Sequence, residues 1–486
     1  MNNSSSIKHQ GTSSRKLLIV TASLWISATV LIVSMVNWPV RLLNMQTVFG
    51  QILLILCLIP FVIGVFSEYR HGLFEPVTAV SFATLYYLLY ELWFNIDSFP
   101  LDASAILPLM LAYASLSLAT FYLGYYIIRL RNKSQRAVSS TQERQSDILR
   151  NADVYAIIVS YIVLSAIAIW LISSGSSLVS LLAIAGAEYA EWEKPSGYLY
   201  GMRSSLTACI LLLIGTKAYQ SKLGRIALVL TLIIGLVLPT IMGTRFIALQ
   251  TLLGLGMFYY MNRHKTVAFW HIVAATALMF LYVGVVGFYR SPSRSIGQDS
   301  VSISEVLDTA TSRSSELSLT TTLVVRDVPH VVPYSWGRRY LKVLVQPIPR
   351  ALWPNKYAWF ENDYNYQLLR YVMGDGSSWF SWAEMYRNFG PVGVGVGSLL
   401  IGIVCAIIYG RQSRAPNDVF GQIFIALFWL FIFGFYSRHD FGRLMAQFCL
   451  MFFPWFFVKW FSMHGIANNQ QSKLIRKTTV GNQLTR

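Results

Sequence analysis

Residues 104–128 read SAILPLMLAYASLSLATFYLGYYII, and Arg129, Arg131, Lys133 and Arg136 follow at once. No charged side chain interrupts the run. It is longer than the roughly 20 apolar residues that carry a helix through the hydrocarbon core of a bilayer. Only a helix or a closed barrel satisfies the backbone of such a segment in lipid, and an unbroken apolar run of this length is a helix, so the fold is all-α and membrane-embedded. The basic residues stand where the cytoplasmic flanks of spans collect lysine and arginine. The stretch therefore gives a span and a direction, outside at Ser104 and inside at Arg129.

The pattern recurs. Runs at 17–37, 48–67, 76–96, 154–173, 204–218, 225–242, 246–261, 267–289, 391–409, 418–436 and 444–462 predict, together with the first, a polytopic protein of about twelve transmembrane helices. Composition agrees: 55% of residues are hydrophobic and 13% charged, with mean hydropathy +0.49, where soluble domains carry about 25% charged residues. The organisation expected is a cytoplasmic tail at 1–16, spans one to nine within 17–289, a large extracytoplasmic loop at 290–390, spans ten to twelve within 391–462, and a second cytoplasmic tail at 463–486. The polar ends lack an apolar pattern and are expected to have no fixed structure. The run from Leu17 follows Lys8, Arg15 and Lys16 as in a signal peptide, yet it is too long and lacks a small-residue cleavage site, so it reads as a first span.

A net charge of +17 would point to nucleic acid in a soluble protein. Here orientation explains it. With the N-terminus inside, 22 lysines and arginines fall in inner segments and 6 in the short outer turns, while 11 lie in the long loop, where the rule does not apply. Both termini are thus expected in the cytoplasm of a bacterial inner membrane; the bilayer is a partner and nucleic acid is not. Cys57, Cys209, Cys405 and Cys449 lie in apolar runs and read as buried small hydrophobes.

Charged residues at span ends are costly and therefore informative. Arg245, Arg290, Arg438 and Arg443 all fall on the outer side. Arg245 sits in the short turn Met242-Gly243-Thr244-Arg245, either snorkelling or held as an anion clamp. The turn Ser437-Arg438-His439-Asp440-Phe441-Gly442-Arg443 offers two more arginines, and His439 with Asp440 as an acid–base couple or a local salt bridge. In the long loop, Pro347, Pro349 and Pro354 stiffen the segment that carries Arg350 and Lys356, which suits phosphate binding as well as a rigid structural loop. Glu384 follows Trp379 and Trp382 at the loop's end and precedes Tyr386; it is a usable base or an ion-pair partner of Arg387. Trp353, Trp359, Trp379, Trp382 and Tyr386 belong to an aromatic concentration suited to stacking on sugar faces. No zinc-ligand spacing, nucleotide loop or nucleophile elbow is present, so neither metal nor cofactor is expected.

Three of these features carry a family resemblance. Gly243-Thr244-Arg245 opens a span; Pro349 to Lys356 reads Pro-Arg-x-Leu-Trp-Pro-x-Lys; and Ser381, Glu384, Tyr386-Arg387-Asn388-Phe389-Gly390 and Gly393 precede another span. With its many spans and late large loop, the chain resembles the bacterial O-antigen or oligosaccharide repeat-unit polymerases of the Wzy type. Ala383 departs from the glycine more common there.

The resemblance implies a GT-C-like membrane glycosyltransferase needing no nucleotide or metal. It would join undecaprenyl-diphosphate-linked oligosaccharides into O-antigen or exopolysaccharide at the outer face, with a chain-length regulator and a flippase as possible partners. Arg245, Arg290, Arg350, Lys356, Arg438 and Arg443 would bind the diphosphate, and Glu384 or His439 would activate the acceptor hydroxyl, with Arg245 stabilising the departing charge. The alternatives are an O-antigen ligase, whose loop histidine motif His330-Val331-Val332-Pro333 does not match, and a lipid-linked oligosaccharide flippase or other transporter, which would place its charged site near the midplane.

Overall fold

The computed structural model describes residues 52–60, 74–89, 101–131, 151–173, 201–241, 245–263, 317–345, 379–412, 418–436 and 441–483, with isolated positions between them. Every regular element among them is helical. In chain order the helices are α1 (Pro76–Thr84), α2 (Leu101–Arg131), α3 (Ala152–Ser173), α4 (Leu206–Gly215), α5 (Lys222–Ile241), α6 (Arg245–Asn262), α7 (Leu317–Asp327), α8 (Arg338–Val345), α9 (Ser381–Gln412), α10 (Val419–Phe431) and α11 (Phe441–Gln483). Among the described residues, five helical stretches are long and apolar enough to cross a membrane: Ala105–Arg129, Ala152–Ser173, Lys222–Pro239, Ser381–Gln412 and Phe441–His464. Shorter apolar helices cover Pro76–Leu88, Met202–Gly215 and Val419–Gly434. Each falls on an expected span, and the chain is an integral membrane protein. The runs at 17–37 and 267–289 lie outside the described residues, apart from isolated positions in the second.

In lipid, apolar surface alone gives little reason for two helices to associate, so close backbone approach and interhelical hydrogen bonds hold them. The α2–α9 pair shows both. A Cβ on Gly124 would strike the Leu399 carbonyl oxygen, and one on Gly402 the Phe121 carbonyl oxygen. Ser117 and Ser398 share a 2.8 Å hydrogen bond on the same seam. The contacts advance together along both chains, so the helices run parallel. At the far end Glu75 accepts from Arg129 at 2.6 Å and from the Tyr125 hydroxyl at 3.1 Å, and Arg129 stands 5.4 Å from the Tyr409 ring centroid.

The structure departs from expectation in four places. The span expected at 391–409 begins early: α9 starts at Ser381, and Gly390, at φ 64° and ψ −154°, divides a short N-terminal helix from the longer one that follows. The long loop contains α7 and α8, and α7 is buried, with Ser318, Thr320, Thr321 and Thr322 each fully enclosed. Its hydroxyls are satisfied by backbone: Ser318 donates to Tyr87 O at 3.2 Å, Thr322 to Ser318 O at 2.8 Å, and Thr321 Oγ1 accepts from Phe380 N at 3.1 Å. Polar composition therefore disguises a packed helix. The final tail continues α11 to Gln483 instead of lacking structure; 43 helical residues reach about 65 Å at 1.5 Å each, twice a bilayer core. Finally, Cys449 is exposed, on the outward side of α11 with Phe456 and Trp460.

Candidate functional site

The N-terminal part of α9 is shaped by Gly390 and Pro391. Pro391 has no N–H, so the Arg387 carbonyl lacks its helical donor. An approaching segment supplies what the helix cannot: Ser335 N donates to Arg387 O at 3.0 Å and Trp336 N to Asn388 O at 3.1 Å. The turn passes through positive φ at Trp336 (47°) and Gly337 (79°) and delivers the chain into α8. Asn388 fastens both sides, accepting from Gly337 N at 3.1 Å and donating to Glu384 O at 2.8 Å. The Tyr334 hydroxyl fills the space at Gly390, only 2.9 Å from where a Cβ would stand.

This docking carries Arg339 to Glu384. Arg339 Nε donates to Glu384 Oε1 at 2.7 Å, with the two side chains only 7% and 4% exposed. Trp379 Nε1 donates to the other carboxylate oxygen at 3.0 Å. The guanidinium carbons of Arg339 and Arg387 lie 5.4 and 5.6 Å from the Trp379 ring centroid, within cation–π range. Burial, with the Glu384 carboxylate nearby, holds the Tyr340 phenol above its ordinary pKa. Tyr340 also packs edge-on against Phe441 at 5.2 Å, tying α8 to α11. One carboxylate, two guanidinium groups and an indole thus meet at the N-terminal end of α9.

The surroundings are amphipathic. Arg339 points inward from α8, while Leu341 and Leu344, with Trp336 just ahead of the helix, are exposed. Along α9, Val392, Val396, Leu400 and Val404 form an exposed stripe at one-turn spacing. Such a stripe faces lipid, and an amphipathic helix beside it rests on the membrane boundary.

A second polar group lies across the Tyr340–Phe441 contact. Arg203 is buried on the turn Met202–Ser205. Its neighbour Ser204 donates to Gln447 Oε1 at 2.7 Å, one helical turn below the half-buried Arg443 on α11. Ser205 donates to Leu450 O. Thr207 and Thr251 share a 3.0 Å hydrogen bond that joins α4 to α6, the helix that opens at Arg245.

Among the expected site residues, then, Glu384 and Trp379 come together, and Arg443 borders the second group. Arg245 is placed by its backbone at the start of α6. Trp353 is exposed. Trp382 and Tyr386 are buried: Trp382 lines a small cleft with Thr84, Ser117 and Tyr436, and the Tyr386 hydroxyl donates to Val328 O at 3.0 Å. Arg290, Arg350, Lys356, Trp359, Arg438 and His439 lie outside the described residues. Arg339 and Arg203 are the residues that sequence reasoning passed over. Arg339 had one available signal, a Trp336-Gly337-Arg338-Arg339 turn opening a short helix with leucines three apart.

Comparison with known proteins adds one match and two absences. A family model described as O-antigen polysaccharide polymerase Wzy matches residues 19–464. No curated protein sequence and no solved structure matches the chain.

Proposed function

Because the chain belongs to the O-antigen polysaccharide polymerase Wzy family, we propose that it joins undecaprenyl-diphosphate-linked oligosaccharide repeat units at the outer face of the inner membrane, using the α8–α9 junction as part of its active site. The observation that carries this reading is the buried Arg339–Glu384 pair with Trp379 and Arg387 around it, at the membrane boundary.

The reaction asks for what that group contains. An acceptor sugar hydroxyl attacks the donor's anomeric carbon. The new C–O bond forms as the bond from that carbon to the diphosphate breaks, and the electron pair leaves with undecaprenyl diphosphate. Charge develops on the diphosphate, where fixed guanidinium groups stabilise it most effectively. Arg339 and Arg387 join Arg245, Arg443, Arg290, Arg350, Arg438 and Lys356 as the cations proposed for this work. The hydroxyl proton goes to a base, Glu384 first and His439 second. Trp353 and Trp379, the accessible aromatics among the described members of the expected set, give the sugars flat faces. The apolar exposed side of α8 lets a polyprenyl tail stay in lipid while its headgroup meets the arginines.

The test is surface polysaccharide from a deletion strain, separated on a gel, with complementation by variants. The strain without the gene, or with Arg339→Gln, displays glycan of a single repeat, and the wild-type chain restores the ladder. A normal ladder in Arg339→Gln would sink the assignment of this site, and complete absence of glycan in the deletion strain would point to a ligase or a flippase.

A further inference from the structure

We propose that the donor's diphosphate displaces Glu384 from Arg339 and so releases the carboxylate that deprotonates the acceptor, making base activation dependent on a bound donor. The inference deepens the function proposed above and rests on it.

Three observations lead there. First, Glu384 is occupied: Oε1 accepts from Arg339 and Oε2 from Trp379, at 2.7 and 3.0 Å. At 3% exposure the carboxylate is enclosed by these two partners, so an acceptor hydroxyl reaches it only when one of them moves away. Second, the cation is on a separate element. Arg339 reaches Glu384 from α8, which is held to α9 through the positive-φ turn at Trp336 and Gly337 and through Asn388. A small displacement of α8 would part the pair without disturbing the span. Third, a stronger anion is expected at that place. A diphosphate carries more charge than a carboxylate and offers paired oxygens to the guanidinium fork. Arg387 lies 5.6 Å from the centroid of the same indole and would complete the clamp.

The exchange has a chemical purpose. The cation that stabilises the leaving group and the base that activates the acceptor are made ready in one event. If Glu384 becomes a base only when Arg339 has turned to the diphosphate, an empty site holds no active base. In the step itself the acceptor oxygen bonds to the donor's anomeric carbon, its proton passes to Glu384, and the bond to diphosphate breaks with its electrons on the leaving oxygen. Arg339 stays with the departing diphosphate and returns to Glu384 on product release, when the carboxylate gives its proton to water.

A merely structural ion pair and an exchanging one make opposite predictions for E384Q. The full-length protein in nanodiscs is titrated with undecaprenyl diphosphate. Under exchange, E384Q removes a competitor for Arg339 and binds at least about 5-fold tighter than wild type, while the glycan ladder is lost. R339Q binds more weakly, and E384Q/R339Q binds no tighter than R339Q. Equal or weaker binding by folded E384Q overturns the exchange. If E384Q does not fold, wild type decides the matter: dicyclohexylcarbodiimide labelling of Glu384, mapped by peptide mass spectrometry, rises when undecaprenyl diphosphate is bound, and no rise overturns the exchange. Failure of the wider functional reading looks different, because the wild-type chain would then fail to restore a ladder at all.

Discussion

Asn388 and Gly337 are joined across 51 positions by a 3.1 Å hydrogen bond from the Gly337 N–H to Asn388 Oδ1. The same side chain donates to Glu384 O at 2.8 Å and is fully buried. It therefore fixes the turn before α8 to the helix that carries Glu384.

Asn388→Ala leaves the Gly337 N–H without its acceptor. Losing one partner of a buried hydrogen bond costs about 1–3 kcal/mol. The expected variant is folded, less stable by that amount in a thermal unfolding assay in detergent, and poor at making long glycan, because Arg339 no longer meets Glu384 in register. Wild-type ladder length from Asn388→Ala would show that the latch has no bearing on the site.

Gly402 and Gly395 lie two turns apart on α9 and predict opposite results. A Cβ at Gly402 would run into the Phe121 carbonyl, whereas nothing stands within 4 Å of one at Gly395. Overpacking of this kind costs about 1–3 kcal/mol, and alanine in place of an unconstrained helical glycine gains roughly 0.5–1 kcal/mol. Gly402→Ala should lower the unfolding temperature and the amount of protein in the membrane, while Gly395→Ala leaves both unchanged or slightly raised. Equal behaviour of the two would refute the close α2–α9 seam.

Glu75 and Arg129 form another buried ion pair, 2.6 Å apart. Removing one partner of such a pair strands a charge and costs about 3–5 kcal/mol, whereas replacing both with apolar residues of similar size is often near neutral. Arg129→Met alone should therefore destabilise more than Glu75→Met with Arg129→Met together, although Tyr125 then loses the carboxylate it donates to. Additive losses in a double-mutant cycle on thermal unfolding would argue against direct coupling.

The spans were legible because lipid demands one thing of a helix, an unbroken apolar run, and that demand is written residue by residue. The runs 154–173 and 104–128 need no partner to be recognised. The loop was harder. In α7, Ser318, Thr320, Thr321 and Thr322 read as solvent-loving, and their burial depends on backbone acceptors that only the fold supplies. Glu384 and Trp379 were legible as unusual residues at a membrane boundary. Arg339 was not, because its significance is a partner 45 positions away. Arg203 was hidden differently: in a charge count it is one more basic residue in an outer turn, and only packing shows it buried.

Trp379 separates the two ways in which this site uses an indole. Its N–H donates to Glu384 at 3.0 Å, and its ring lies beside two guanidinium carbons. Trp379→Phe keeps an aromatic face and removes the donor. A hydrogen bond to a charged group is worth about 1.5–3 kcal/mol, equivalent to a rate loss of roughly 10- to 150-fold if the bond orients Glu384 for proton transfer. Trp379→Ala also removes the cation–π surface, worth about 0.5–2 kcal/mol per guanidinium, and frees both arginines to wander. Polymerisation of a lipid-linked single repeat by purified protein should therefore fall in the order wild type, Trp379→Phe, Trp379→Ala, with the second step appearing as weaker substrate binding and the first as slower turnover. If Trp379→Phe turns over at the wild-type rate, the indole N–H does not position the carboxylate.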